Sequence, residues 1–257
     1  LRATHNVNGV YDLSTKGGRT AVNTANCYLI GAPGSYTFPL VYGNGVRDGA
    51  PNTGAYTSAA SGENMLGRFL NYQDAPIDDP YIYNDSSILL TDACLVWQDA
   101  PNLVSGIELT ADKQSIRFDV DRSTIRQGNA IIAVRDASGT IVWSWHIWVT
   151  DYALGNDLRR VTNFQGNEYT VLPVNIGWCD RDVAASEARS VTVRITQDKT
   201  GMSRTLTFNQ TAYASDLPGH NTYFQWGRKD PMLPGTGNLV EKTFYTDLPE
   251  YAFDKSG

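Results

Sequence analysis

Two apolar runs in the 257-residue chain, Asn129–Arg135 and Thr140–Thr150, flank the connection Asp136-Ala137-Ser138-Gly139. A short Gly-containing connection between two strand-like runs predicts a β-hairpin. The second arm reads Trp143-Ser144-Trp145-His146-Ile147-Trp148-Val149, dense in the aromatic and β-branched residues that fit a pleated sheet. In an extended strand Trp143, Trp145, Ile147 and Val149 share one face, and Ser144, His146, Trp148 and Thr150 share the other. Both faces carry large side chains, so the strand is expected inside a sheet covered on both sides.

The same reading extends along the chain. Val104–Thr110 and Ser115–Asp121 flank Ala111-Asp112-Lys113-Gln114, and Ser190–Thr196 and Ser203–Gln210 flank Gln197–Met202. Ile116, Phe118 and Val120 alternate with Arg117, Asp119 and Asp121, the period of a half-buried strand. In the third hairpin Val191, Val193, Ile195, Leu206 and Phe208 are expected to point inward. Cys27–Ile30, Ser35–Tyr42 and Tyr81–Tyr83 read as further short strands, and Ser87–Leu90 and Cys94–Gln98 as two strands or one bulged strand. Residues 43–64 and most of Asn71–Tyr83 read as loops, and a helical turn is expected near Leu154–Val161. Many short strands between Gly- and Pro-rich turns predict an all-β fold, an Ig-like or Greek-key β-sandwich with long irregular loops and a C-terminal extension. Residues 1–20 are expected to be a remnant or linker, 21–213 the sandwich module, and 214–257 an irregular extension or a linker to a further domain.

Composition narrows the functional classes. With 41% apolar residues the chain can bury a sizeable core. Its net charge of −6, with no cluster of Lys and Arg, argues against a nucleic-acid partner, which requires phosphate neutralisation. No apolar stretch approaches the roughly 18 residues of a membrane-spanning helix, and the first residues lack a signal-peptide pattern. Cys27, Cys94 and Cys179 are widely spaced without a C-x-x-C pair, which argues against a zinc or redox site; three reduced core thiols are the preferred reading, and one disulfide with a third thiol is the alternative.

Candidate chemistry is sparse. Ser144 and His146 point the same way on one strand, but no nucleophile elbow surrounds Ser144, and a hydrogen-bonded strand face is the preferred reading. Asp74, Asp78 and Asp79 share a loop, as do Asp180 and Asp182. Loop spacing cannot establish the carboxyl separation of a glycosidase, and no regular calcium-ligand pattern is present. Asn84-Asp85-Ser86 and Asn209-Gln210-Thr211 match the glycosylation sequon. No catalytic residue, metal ligand or cofactor is therefore assigned. Aromatics in loops are the stronger binding signal, because they combine large contact area with a polar handle. Tyr42, Tyr56, Tyr72, Tyr152, Tyr223, Phe224 and Trp226 are of this kind. Tyr223, Trp226, Tyr72 and Tyr152 are the candidate ligand-binding residues, with a glycan as one expected ligand.

Several phrases carry a resemblance. Asn26-Cys27-Tyr28-Leu29-Ile30 with the following Gly-Ala-Pro-Gly turn and Tyr36-Thr37-Phe38-Pro39, Val96-Trp97-Gln98-Asp99, Gln127-Gly128-Asn129-Ala130, Trp143–Asp151, Pro173-Val174-Asn175-Ile176-Gly177-Trp178 and Tyr223–Pro231 together resemble a module of Bacteroidetes surface proteins in the fimbrillin-like group. That resemblance implies an exported, outer-membrane-associated or fimbrial β-sandwich protein, an adhesin or a fimbrial accessory or tip subunit. It also implies partners joined by β-strand addition, and it carries over no catalytic residue. The group's lipobox cysteine and preceding domain have no counterpart here. The chain is accordingly expected to be a processed or trimmed portion, with Arg2 or Arg19 marking a cleavage region.

Overall fold

The computed structural model describes residues 1, 9–57, 69–153, 155, 158–180, 182–217, 222, 224 and 231. The chain divides into two compact units, residues 1–179 with 220–257 and residues 180–219.

The first unit is an all-β sandwich. Its strands are β1 (Val10–Asp12), β2 (Cys27–Ile30), β3 (Gly34–Pro39), β4 (Val46–Arg47), β5 (Ala50–Pro51), β6 (Leu90–Gln98), β7 (Ser105–Leu109), β8 (Ser115–Val120), β9 (Gly128–Asp136), β10 (Ile141–Val149), β11 (Arg159–Thr162) and β12 (Glu168–Val171). One sheet has the order β1-β3-β8-β7 and the other β2-β10-β9-β6. Successive strands change sheets repeatedly, so β2 lies parallel to β10 and β1 parallel to β3. The β1 pairing brings part of residues 1–20, expected to be a remnant or linker, into the first sheet.

The core lies between the two sheets. Phe38 of β3 stacks on Tyr28 of β2 with centroids 4.6 Å apart and lies 5.3 Å from Trp145 of β10. Tyr36 and Phe118 stack at 5.6 Å within the first sheet. Trp145 is fully enclosed, and its indole N–H donates to the Val41 carbonyl at 3.1 Å, which gives the buried polar atom of this ring its partner. All nine residues of β10 are buried, as its two-sided bulk requires. At the sheet edge β6 is bulged twice against β9, a feature that discourages edge-to-edge pairing.

Several local expectations are corrected. Arg159–Val161 belong to β11, paired with β12, and are not helical. The Asn163 side-chain oxygen accepts from the Gln165 and Asn167 amides, and Gly166 has φ +83°, so this turn closes a hairpin. Leu154 lies outside the described residues. Tyr81–Tyr83 is not a strand, since Ile82–Asn84 form a 3₁₀ turn. The loop at 43–64 contains β4, β5 and a 3₁₀ turn at Thr53–Ala55. The cysteines are half-buried rather than fully enclosed.

The second unit holds β13 (Asp182–Ser186), β14 (Arg189–Thr196), β15 (Ser203–Gln210) and β16 (Tyr213–Leu217). The irregular extension expected from residue 214 thus begins as a strand. The β13/β16 and β14/β15 ladders keep one continuous register, from Asp182 opposite Leu217 to Thr196 opposite Ser203. They form a single two-stranded ribbon closed by hydrogen bonds between Gln197 and Met202 and between Gly201 and Gln197, both 2.8 Å. The expected inward side chains are exposed: Val191 56%, Val193 40%, Ile195 58%, Leu206 50% and Phe208 61%. Periodicity identified their shared face correctly, but among the described residues these side chains remain exposed.

Candidate functional site

Two arrangements stand out in the first unit. The first is a buried polar chain on the outer face of the sheet that contains β10. Asn129 of β9 and His146 of β10 are both completely enclosed. The Asn129 side-chain nitrogen donates to Asp99 Oδ2 at 3.2 Å and to the Gly177 carbonyl at 2.9 Å. Its oxygen must therefore accept, and His146 Nε2 lies 2.8 Å from it. Nε2 consequently carries the ring proton, leaving Nδ1 to accept from the Thr222 hydroxyl at 3.2 Å. Burial pushes the His146 pKa down to about 3, so the ring is neutral. Asp99 also accepts from the Asn129 backbone amide at 2.8 Å, yet burial dominates and raises its carboxyl to about 7.

This geometry answers the Ser144–His146 question. Both ring nitrogens of His146 are engaged, neither with Ser144, so the pair lacks the contact that base-assisted attack requires. The chain instead clips distant segments. Gly177 and Cys179 meet the Asn129 amide, and Trp148 donates its indole N–H to the Trp178 carbonyl at 2.9 Å. Thr222 is buried against His146, with the Phe224 ring 5.8 Å away. Within the first unit, Gly177, Cys179 and Thr222 are thus held at the same sheet face.

The second arrangement is an aromatic pair. Tyr81 and Tyr83 are partly exposed, with ring centroids 5.3 Å apart, while Ile82 between them is fully buried. The Ile82 amide donates to Leu40, and the Pro80 carbonyl accepts from Tyr42, each at 3.0 Å. Asp79 accepts from the Tyr81 amide at 2.8 Å and from Asn84 at 3.1 Å. The two rings therefore sit on a rigid turn beside fixed polar groups.

The candidate ligand-binding residues do not form one site. Tyr72 is half-buried and donates its hydroxyl to Asp136 at 3.0 Å, at the turn end of the β9/β10 hairpin. Tyr152 is half-buried just beyond the other end of β10, its amide bonded to Thr150 at 3.1 Å. A strand of that length separates them by roughly 25 Å. Tyr223 and Trp226 lie outside the described residues. Tyr42 and Tyr56, expected in exposed loops, are buried at 2% and 3%; Tyr42 packs edge-on against Trp143 at 4.9 Å.

Among the described residues no group of three His, Cys, Asp or Glu side chains is placed to hold a metal ion, and no helix is long and apolar enough to cross a membrane. Comparison of the chain with family models, curated proteins and solved structures returned no match.

Proposed function

We propose that this protein is a non-catalytic cell-surface subunit, adhesive or fimbria-associated, that acts by docking a partner subunit. The observation that carries the reading is the second-unit ribbon, whose apolar face of Val191, Val193, Ile195, Leu206 and Phe208 is 40–61% exposed. A two-stranded ribbon is marginal in water by itself, and a contiguous apolar patch of this kind marks an interaction surface. Among the described residues, β14 and β15 pair only with each other, leaving outer edges that a partner strand can extend. The resemblance to fimbrillin-like surface proteins supplies the location, outside the cell.

The test is incorporation. Wild-type chain should co-purify with surface filaments of its source cells, and the double variant Leu206→Ser/Phe208→Ser should not. Equal recovery of both in the filament fraction would overturn the reading.

A carbohydrate-binding module is the second reading, favoured by the Tyr81–Tyr83 pair with Asp79 and Asn84 beside it. Flat rings flanked by fixed hydrogen-bonding groups suit a sugar's mixed apolar and hydroxylated faces. Glycan-array binding that disappears in Tyr81→Ala and Tyr83→Ala would support it. Unchanged binding in those variants, or none in the wild type, would end it.

A further inference from the structure

We infer that the partner seated on the apolar face of the ribbon is a second copy of this chain, packed face to face about a two-fold axis through the Val193–Leu206 pair. This rests on the docking role proposed above and names its occupant.

The two faces of the ribbon differ in kind. On one, Ser190 bonds Asn209 at 2.9 Å, Thr192 meets Thr207 at 3.2 Å, and Arg194 reaches Ser203 at 3.2 and 3.3 Å. That face is a polar ladder already bonded across the strands and suited to water. The opposite face carries the cross-strand pairs Val191–Phe208, Val193–Leu206 and Ile195–Arg204, with Met202 in the tip turn just before β15 at 70% exposure. An amphipathic sheet buries such a face most simply against another sheet about 10 Å away.

The order of residues along this face is self-complementary. A two-fold axis in the face, running across the strands at the central pair, lays β14 on β14 and β15 on β15 in opposite directions. Val193 and Leu206 then meet their own counterparts. Val191 faces Ile195 of the second copy, and Phe208 faces Arg204, so the largest ring receives a guanidinium over its negative π surface. The stem of Gln210 lies over Met202, and Arg189 lies over the tip loop, which carries Asp198. Each residue i that meets j is matched by j meeting i, the condition for an isologous dimer. Two strands of this length present a face about 27 Å long. Two such faces fall at the low end of specific interfaces, roughly 1,000 Å² in total, which suits a reversible dimer of micromolar affinity.

The full chain should show a concentration-dependent monomer–dimer equilibrium by sedimentation. Because residue 206 meets its own counterpart, Leu206→Lys alone and Leu206→Glu alone should each shift the chain to monomer, raising Kd at least tenfold. An equimolar mixture of the two variants should restore the dimer, while each keeps the wild-type melting of the first unit. A wild-type chain that stays monomeric at 100-fold above micromolar concentration overturns the inference. So does a dimer that persists in both single variants, or a mixture that remains monomeric. If the chain is monomeric but Leu206→Ser/Phe208→Ser still blocks filament incorporation, the docking role stands with a different partner. If neither effect occurs, both fail.

Discussion

His146 Nε2 lies 2.8 Å from Asn129 Oδ1, and both residues are completely shut off from solvent. The bond links β9 to β10 side chain to side chain and, through Asn129 and Thr222, holds Gly177 and the returning chain against the sheet. Substituting His146→Ala leaves the Asn129 oxygen and the Thr222 hydroxyl without this partner and opens a cavity. The expected cost is about 3–5 kcal/mol of stability, measured by urea unfolding. Amide exchange at Thr222 and Phe224 should rise well beyond the global change. Exchange there that merely follows global stability would refute the clip.

Much of the sandwich was legible in the sequence, because alternation and turn residues act locally. The β7/β8, β9/β10 and β14/β15 hairpins follow from period-two patterns around polar connections. The clip was not legible in the same way. Asp99, Asn129, His146, Gly177 and Thr222 come from five separated segments, and no spacing rule relates them. Four of the five lie within the phrases quoted above, and Thr222 immediately precedes the last of them, Tyr223–Pro231, so several of those phrases meet at one tertiary junction. The exposure of Val191 and Phe208 is illegible for a related reason: periodicity tells which side chains share a face, but not what lies opposite.

Trp145 tests the core. Its ring packs on Phe38 at 5.3 Å, and its N–H satisfies the Val41 carbonyl at 3.1 Å. Trp145→Phe keeps most of the apolar contact but loses the bond, for an expected cost of about 1–3 kcal/mol. Trp145→Ala should cost about 3–5 kcal/mol. Thermal unfolding of both variants would check the order, and equal losses would mean the hydrogen bond contributes nothing separable from the cavity.

Gly177 separates backbone strain from crowding. It has φ +86°, and an added Cβ would lie 3.0 Å from Asn129 Oδ1 and 3.2 Å from His146 Cε1. Gly166 has nearly the same φ, +83°, with nothing within 4 Å. Gly166→Ala should therefore cost only the left-handed penalty, about 1–2 kcal/mol. Gly177→Ala should cost at least about 1 kcal/mol more, because the buried clip must shift. Equal effects on chemical denaturation would show that the clip yields freely.

Asp99 and His146 give opposite pH dependences. The Asp99 pKa rises on folding from an ordinary 3.8 to about 7, so the native state binds the extra proton between those values. Its contribution is fully present below the unfolded pKa and is lost as pH rises to about 7. His146 falls from 6.5 to about 3, so its contribution is present above 6.5 and is lost as pH falls. Between about pH 4 and 6.5 folding moves a proton from the histidine to the carboxyl with little net uptake, and the two slopes offset each other. Asp99→Asn removes one of them. Relative to wild type, the variant's stability should fall with acidification across this window by up to about 1.4 kcal/mol per pH unit. Urea midpoints at half-unit steps from pH 4.5 to 7.5 would measure the difference. Parallel curves for the two proteins would show that Asp99 ionises on folding as an ordinary carboxylate.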